Sequence, residues 1–173
     1  MCGGKGRMDF EIRELKQSEY PLLEEFLYQA IYVPEDCSRP DRNILKIPEM
    51  QVYLEDFGHQ NSDYGLAAIV NDTVVGIIWG RIMQDYGHID DETPSLAIAV
   101  LESYRGYGIG TALIKSMLNL LKKNGYQQVS LSVQRSNRAM KLYERIGFKT
   151  CNSVTGETAE EVIMKYKLCR AEV

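Results

Sequence analysis

The chain has 173 residues, room for one domain with a substantial core. Its formal net charge of −4 gives no bulk attraction for nucleic acid, although a local field can still hold an anion. No apolar run approaches the ~18 residues of a membrane span, and Cys2, Cys37, Cys151 and Cys169 have neither CxxC nor zinc spacing, so a cytoplasmic protein with reduced thiols is expected, with no nucleic-acid or membrane partner.

Residues 1–7 lack the apolar core of a signal peptide and read as a disordered leader or tag remnant, leaving 8–170 as one domain. Residues 10–15 alternate apolar and charged side chains, which predicts a half-buried strand. Ser18 and Pro21 suit the start of a helix whose apolar face is Leu22, Leu23, Phe26, Leu27, Ala30 and Ile31. Residues 34–47 read as loop. Pro48 then opens a second helix carrying Met50, Val52, Tyr53, Leu54 and Phe57, closed by Gly58.

The β-rich runs 64–70 and 73–83 flank Asn71-Asp72 and predict a hairpin with a tight turn. Gly76 and Gly80 inside the second run mark a bulge or a close backbone approach. The polar stretch 84–93 holds His88, Asp90, Asp91 and Glu92. Their spacing matches no calcium or zinc loop, so no metal is expected. Residues 95–100 form a short apolar run that suits a strand.

Next come Gly106, Gly108 and Gly110, then Ile109, Ala112, Leu113, Met117, Leu120 and Leu121 at helical spacing. The first N–H groups of a helix lack intrahelical partners and carry the positive end of its dipole. Glycines let a ligand approach them, so this turn predicts a phosphate cradle, with Arg105 adding charge at its mouth. Position 111 is Thr and position 128 is Gln, which weakens a dinucleotide fingerprint, and the Gly-Lys-Ser/Thr triplet of a nucleotide P-loop is missing. Lys122 to Gly125 stop the helix, 126–133 alternate as a strand, and a further helix starts over 136–140. Residues 147–149 turn that helix into a strand, 156–161 read as a turn, and 162–168 as a closing strand. The order β-α-α-β-β-β-α-β-α-β-β predicts an α/β (α+β) fold, with one mixed, largely antiparallel sheet flanked by helices.

Arg105-x-x-Gly108-x-Gly110 resembles the pyrophosphate-binding motif of the GCN5-related N-acetyltransferase (GNAT) family. Asn137, followed by Leu142-Tyr143-Glu144-x-x-Gly147-Phe148, resembles the family's second signature, and the two occur in family order. The resemblance implies an acyl-CoA N-acyltransferase fold with a V-shaped splay, attributed to a bulge, between two central strands. It implies transfer of an acetyl group from acetyl-CoA to an amine by direct attack, the amine belonging to a small molecule or a protein. Carried over by motif, the backbone of Ile98, Ala99 and Val100 would bind the pantetheine arm, and Ile98 N–H would stabilise the oxyanion. Arg105, Gly106, Tyr107, Gly108, Ile109, Gly110 and Thr111 would hold the pyrophosphate. Asn137 would contact the pantetheine or acetyl end, and Tyr143 would act as general acid toward the thiolate. Tyr28, Tyr32, Glu35 and Asp36 are candidate acceptor contacts, and a homodimer is a further expectation from the family.

Some members that acetylate protein N-termini place a Glu in the strand after the first motif's helix. The matching residue here is Ser132, which is no base. Glu92, Asp91, His88 and Glu102, acting directly or through water, or water itself, remain as candidates for the base. The alternative to an enzyme is a non-catalytic acyl-CoA-binding sensor of the same fold.

Overall fold

A computed structural model describes residues 5–155 and 159–168. Residues 1–4 of the expected leader, Cys2, Cys169 and residues 156–158 of the expected turn lie outside the described residues. The elements are β1 (Glu11–Glu14), α1 (Leu22–Ala30), α2 (Pro48–Gln51), β2 (Tyr64–Val70), β3 (Thr73–Arg81), β4 (Ser95–Val100), α3 (Ile109–Lys123), β5 (Gln128–Gln134), α4 (Ala139–Ile146), β6 (Lys149–Thr155) and β7 (Glu160–Lys167). Their order is the one the sequence predicts. They form one seven-stranded sheet in the order β1-β2-β3-β4-β5-β7-β6. Its neighbours are antiparallel except β4 and β5, which run parallel.

Alternation along the strands builds a core on each face. Leu66, Ile78, Leu96, Leu131 and Met164 face α3 and α4, while Ala67, Ile77, Trp79 and Ala99 face α1. Asn71 and Asp72 both adopt positive φ, +46° and +62°, as a tight hairpin turn between right-twisted strands requires. The register skips between Ala68 and Ile69, opposite Gly76 and Val74, so a bulge lies beside Gly76. Gly80 is a close approach, because a Cβ there would sit 2.8 Å from Leu96 Cδ2.

The second helix is shorter than its apolar pattern predicts. It ends at Gln51, and the chain continues in turns to Gly58. Arg81 accounts for the change: its Nη1 donates to Val52 O and Glu55 O at 3.2 and 2.7 Å. Those carbonyls bond a side chain of β3 instead of a following helical turn. Arg81 is itself held by Asp63, Nε to Oδ1 at 3.0 Å, with both side chains almost fully buried. Residues 42–46 of the expected loop form a 3₁₀ helix capped by Asp41, which accepts from Asn43 N at 2.8 Å. Among the described residues no helix is long and apolar enough to cross a membrane.

Candidate active site

Backbone geometry at β4 and β5 sets up the site. The two strands pair only at Ser95↔Ser130 and then diverge, which makes the predicted splay. The bulge that the resemblance attributes to it is not in β4, which pairs with β3 in unbroken register from Gly76↔Val100 to Arg81↔Ser95. The wedge opens without any break in β4.

Alternation decides which groups the wedge exposes. Leu101 N donates to Val75 O on β3, so the odd-numbered residues of β4 direct their backbone groups to β3. Pro94 O accepts from Ser130 N and Val100 O from Arg105 Nε, so the even-numbered residues face β5. Ile98 therefore directs its N–H and C=O into the wedge, unpaired by either neighbouring strand. Ala99 turns its backbone groups to β3.

The cradle lies at the open end of the wedge. Gly106 and Gly108 adopt φ of +82° and +84°, a region that disfavours a Cβ. A Cβ on Gly108 would meet nothing within 4 Å, so the space beside this helix start is open. The first α3 bond runs from Ala112 N to Gly108 O, leaving the N–H groups of Ile109, Gly110 and Thr111 without helical partners. The Ile109 side chain is fully buried, which fixes the helix start against the core. Arg105 is anchored by its Nε on Val100 O at 2.8 Å, with the rest of its exposed guanidinium free to reach an anion. Lys5, from the expected leader, docks on the same rim. Its Nζ donates to Arg105 O at 2.7 Å and lies 5.0 Å from the centre of the Tyr107 ring. These residues fit a diphosphate: open space, unpaired N–H groups and cations on one edge.

Helix α4 borders the wedge from the other side. A Cβ on Gly110 would lie 4.0 Å from both Leu142 of α4 and Val100 of β4. Asn137 Oδ1 accepts from Ala139 N at 2.9 Å and caps α4, leaving the amide NH₂ to donate elsewhere. Tyr143 is buried with its ring 6.0 Å from Phe148. Burial pushes its pKa up to about 12, so it stays protonated at working pH. Its hydroxyl makes no hydrogen bond among the described residues.

The acidic candidates are scattered. Asp90 accepts from Glu92 N and Gln128 Nε2, pinning the loop to the start of β5, where the wedge is closed. Asp91 and Glu92 are exposed, and His88 Nε2 stands 3.6 Å from Asp91. Glu102 is exposed beyond the end of β4. Of the proposed acceptor contacts, Tyr28 is buried and donates to Pro40 O at 2.8 Å. Tyr32 donates to Ser136 O at 3.2 Å, joining α1 to the β5–α4 connection. Glu35 and Asp36 are exposed.

Two residues at the apex are absent from the sequence-based candidates. Asp85 is half-buried there with its Oδ1 fully covered, and Gly87 is wedged between the strands. A Cβ on Gly87 would sit 2.7 Å from Ser95 Oγ and 3.2 Å from Leu131 C and Ser132 N. Gly87 O accepts from Ser130 Oγ at 2.7 Å. Only the Tyr86-Gly87 pair hinted at a close approach. Gly87→Ala should destabilise the fold by about 1–3 kcal/mol through overpacking. Urea denaturation checks this, and an unchanged midpoint would show that the loop is not seated as described.

Comparison with known proteins agrees with this geometry. The acetyltransferase (GNAT) family profile matches residues 17–148. The chain is 37% identical over 131 residues to an N-alpha-acetyltransferase of Saccharolobus solfataricus, covering 68% of this chain and 77% of that one. It is 43% identical over 107 residues to a [ribosomal protein bS18]-alanine N-acetyltransferase of Haemophilus influenzae, covering 58% of this chain and 69% of that one. In fold it is similar to the ribosomal-protein-S18-alanine N-acetyltransferase of Escherichia coli, with TM-score 0.67, 18% identity and coverage of 95% and 97%. An open wedge beside a glycine-built helix start, together with a family match over most of the chain, leads to one conclusion: this protein belongs to the GNAT family of acetyltransferases.

Proposed function

We propose that the chain moves the acetyl group of acetyl-CoA to the α-amine of a peptide or protein N-terminus. The observation that carries the reading is the unpaired Ile98 backbone beside the open Gly108 cradle. An extended amide-bearing arm can complete the missing ladder of β4 while its diphosphate meets the free N–H groups of α3. The α-amine is supported by the relatives, which are named as N-alpha-acetyltransferases. Those names favour an enzyme over a sensor.

Chemically, attack on the thioester carbonyl places negative charge on its oxygen. Ile98 N–H, directed into the wedge, is the donor for it, a contact worth ~3 kcal/mol of barrier. The thiolate that leaves has an ordinary pKa of ~8.5 and is helped by a donor. Tyr143 supplies one. With its pKa raised to about 12, it hydrogen-bonds the sulfur and passes its proton there only as the remaining N–H proton of the attacking nitrogen replaces it, so nitrogen loses a proton, sulfur gains one and Tyr143 ends protonated. Asn137, held by its capping bond, offers its amide NH₂ to a carbonyl of the arm.

The test is coenzyme A release with short peptides bearing free α-amines, beside calorimetric titration of acetyl-CoA. Binding together with peptide-dependent release is expected, and binding without release on a broad amine panel would favour the sensor. Gly108→Val should weaken acetyl-CoA binding at least tenfold, because its branched side chain enters the open cradle. The positive φ adds strain of about 1–2 kcal/mol, so circular dichroism must accompany the titration. Unchanged affinity in a folded variant would remove the cradle from the mechanism.

A further inference from the structure

Asp85 lies at the apex of the wedge, outside every role assigned so far. Its Oδ2 accepts from Ser95 Oγ at 2.6 Å and from the Tyr53 hydroxyl at 3.0 Å. Its Oδ1 is buried with no hydrogen-bond partner among the described residues. A buried carboxylate oxygen left unpaired is expensive, and one that serves only to pin a loop gains nothing from that state. Ser132, whose backbone lies against Gly87, is on the α1-facing side of β5, and its hydroxyl favours negative charge on the Tyr53 oxygen. Tyr53 O–H donates to Asp85, and Ser132 follows Ser130 along β5, past the last rung that β5 shares with β4.

We propose that Asp85 is the proton acceptor for the incoming amine, reached from the wedge through the hydroxyls of Ser132 and Tyr53. This rests on the acetyltransferase reading above. An α-ammonium group has no lone pair with which to attack, so one N–H bond must break first. Its proton passes to Ser132 Oγ as Ser132 passes its own to Tyr53 and Tyr53 passes its own to Asp85 Oδ2. Both hydroxyls end as they began, Asp85 carries the proton, and the neutral amine attacks. After product leaves, Asp85 returns the proton to solvent along the same path.

The surroundings suit that task. Burial raises the proton affinity of Asp85, while the Ser95 and Tyr53 hydroxyls pull it back. Burial and the Asp85 charge hold Tyr53 well above the ordinary tyrosine range, so it remains a donor. Glu161 on β7 adds negative charge toward Tyr53 and is itself raised by burial. His88, on the same loop as Asp85, has its Nδ1 buried without a partner among the described residues. Because burial raises the Asp85 pKa, the ionised form lowers stability at neutral pH, and this penalty shrinks as pH falls through the folded-state pKa. Asn removes the charge and keeps an acceptor oxygen, so Asp85→Asn is expected to fold.

The experiment is the pH profile of kcat/KM for a short peptide with a free α-amine, for the unaltered chain, Asp85→Asn and Tyr53→Phe. With no acceptor for its proton, each variant depends on the free amine, whose pKa is about 7.7–8.0. Relative to the unaltered chain, activity should fall about 25-fold at pH 6.5 and recover to within about threefold at pH 9, with acetyl-CoA affinity unchanged. Loss by one factor at every pH, or an unaltered profile, would overturn the relay and leave the acetyltransferase reading standing. An unaltered chain that binds acetyl-CoA yet releases no coenzyme A with any peptide would overturn both.

Discussion

Replacing Tyr143 with phenylalanine is expected to lower kcat for acetyl transfer by about 10²–10⁴-fold, the range for loss of a positioned proton donor. Acetyl-CoA affinity and thermal stability should barely move. The separation follows from two observations. The Tyr143 ring packs beside Phe148 in the core that α3 and α4 cover, and Phe keeps that packing. The hydroxyl bonds nothing among the described residues, so its removal strands no protein partner. Packing thus falls to the ring of this side chain, and the proposed chemical role to its hydroxyl alone. Steady-state kinetics and a melting curve on the same preparation are the check. A variant that melts many degrees lower, or one with full kcat, would remove Tyr143 from the chemistry.

Asp63→Asn is expected to cost about 3–5 kcal/mol of stability, the range for breaking a buried ion pair from one side. Arg81 and Asp63 meet through two contacts, Nε to Oδ1 at 3.0 Å and Nη2 to Oδ2 at 3.2 Å. Asp63 Oδ2 also accepts from Gly58 N and Gln60 N at 2.8 and 3.2 Å. One carboxylate therefore gathers both ends of the 58–63 loop and neutralises a guanidinium that is 2% exposed. With Asn, that guanidinium keeps its bonds to Val52 O and Glu55 O but has no counter-charge. Chemical denaturation measures the loss, and a change below 1 kcal/mol would show that backbone carbonyls alone satisfy Arg81. The chain just before this loop carries Tyr53, whose carbonyl accepts from Trp79 Nε1 at 3.1 Å.

Local spacing made much of this legible in the sequence. The glycine turn, the helix after it, the Asn71-Asp72 hairpin and the order of elements are set by residues close together in the chain. Ile98, Gly108 and α4 all border one wedge. What escaped depends on contacts across the chain. The apolar pattern of Met50 to Phe57 is helical, yet Arg81, some thirty positions on, takes the Val52 and Glu55 carbonyls and ends the helix early. Helix α4 starts at Ala139 rather than 136, because Asn137 caps it by bonding Ala139 N. Asp85 was hidden for the same reason. In the stretch 84–93 it is one acid among several. Only folding separates it, when Gly87 slips between Ser95 and Ser132 and buries one carboxylate while its neighbours remain in water.

The single ladder pair at Ser95↔Ser130 has a mechanical consequence. The sheet is two panels, β1 to β4 and β5 to β7, joined by one rung of backbone bonding, with residues 84–88 strapped across the seam. Each panel keeps its own register, while one core under α3 and α4 runs beneath both. The angle between them is governed by Ser95, Ser130 and Gly87, so small changes there can retune the opening without unfolding either half.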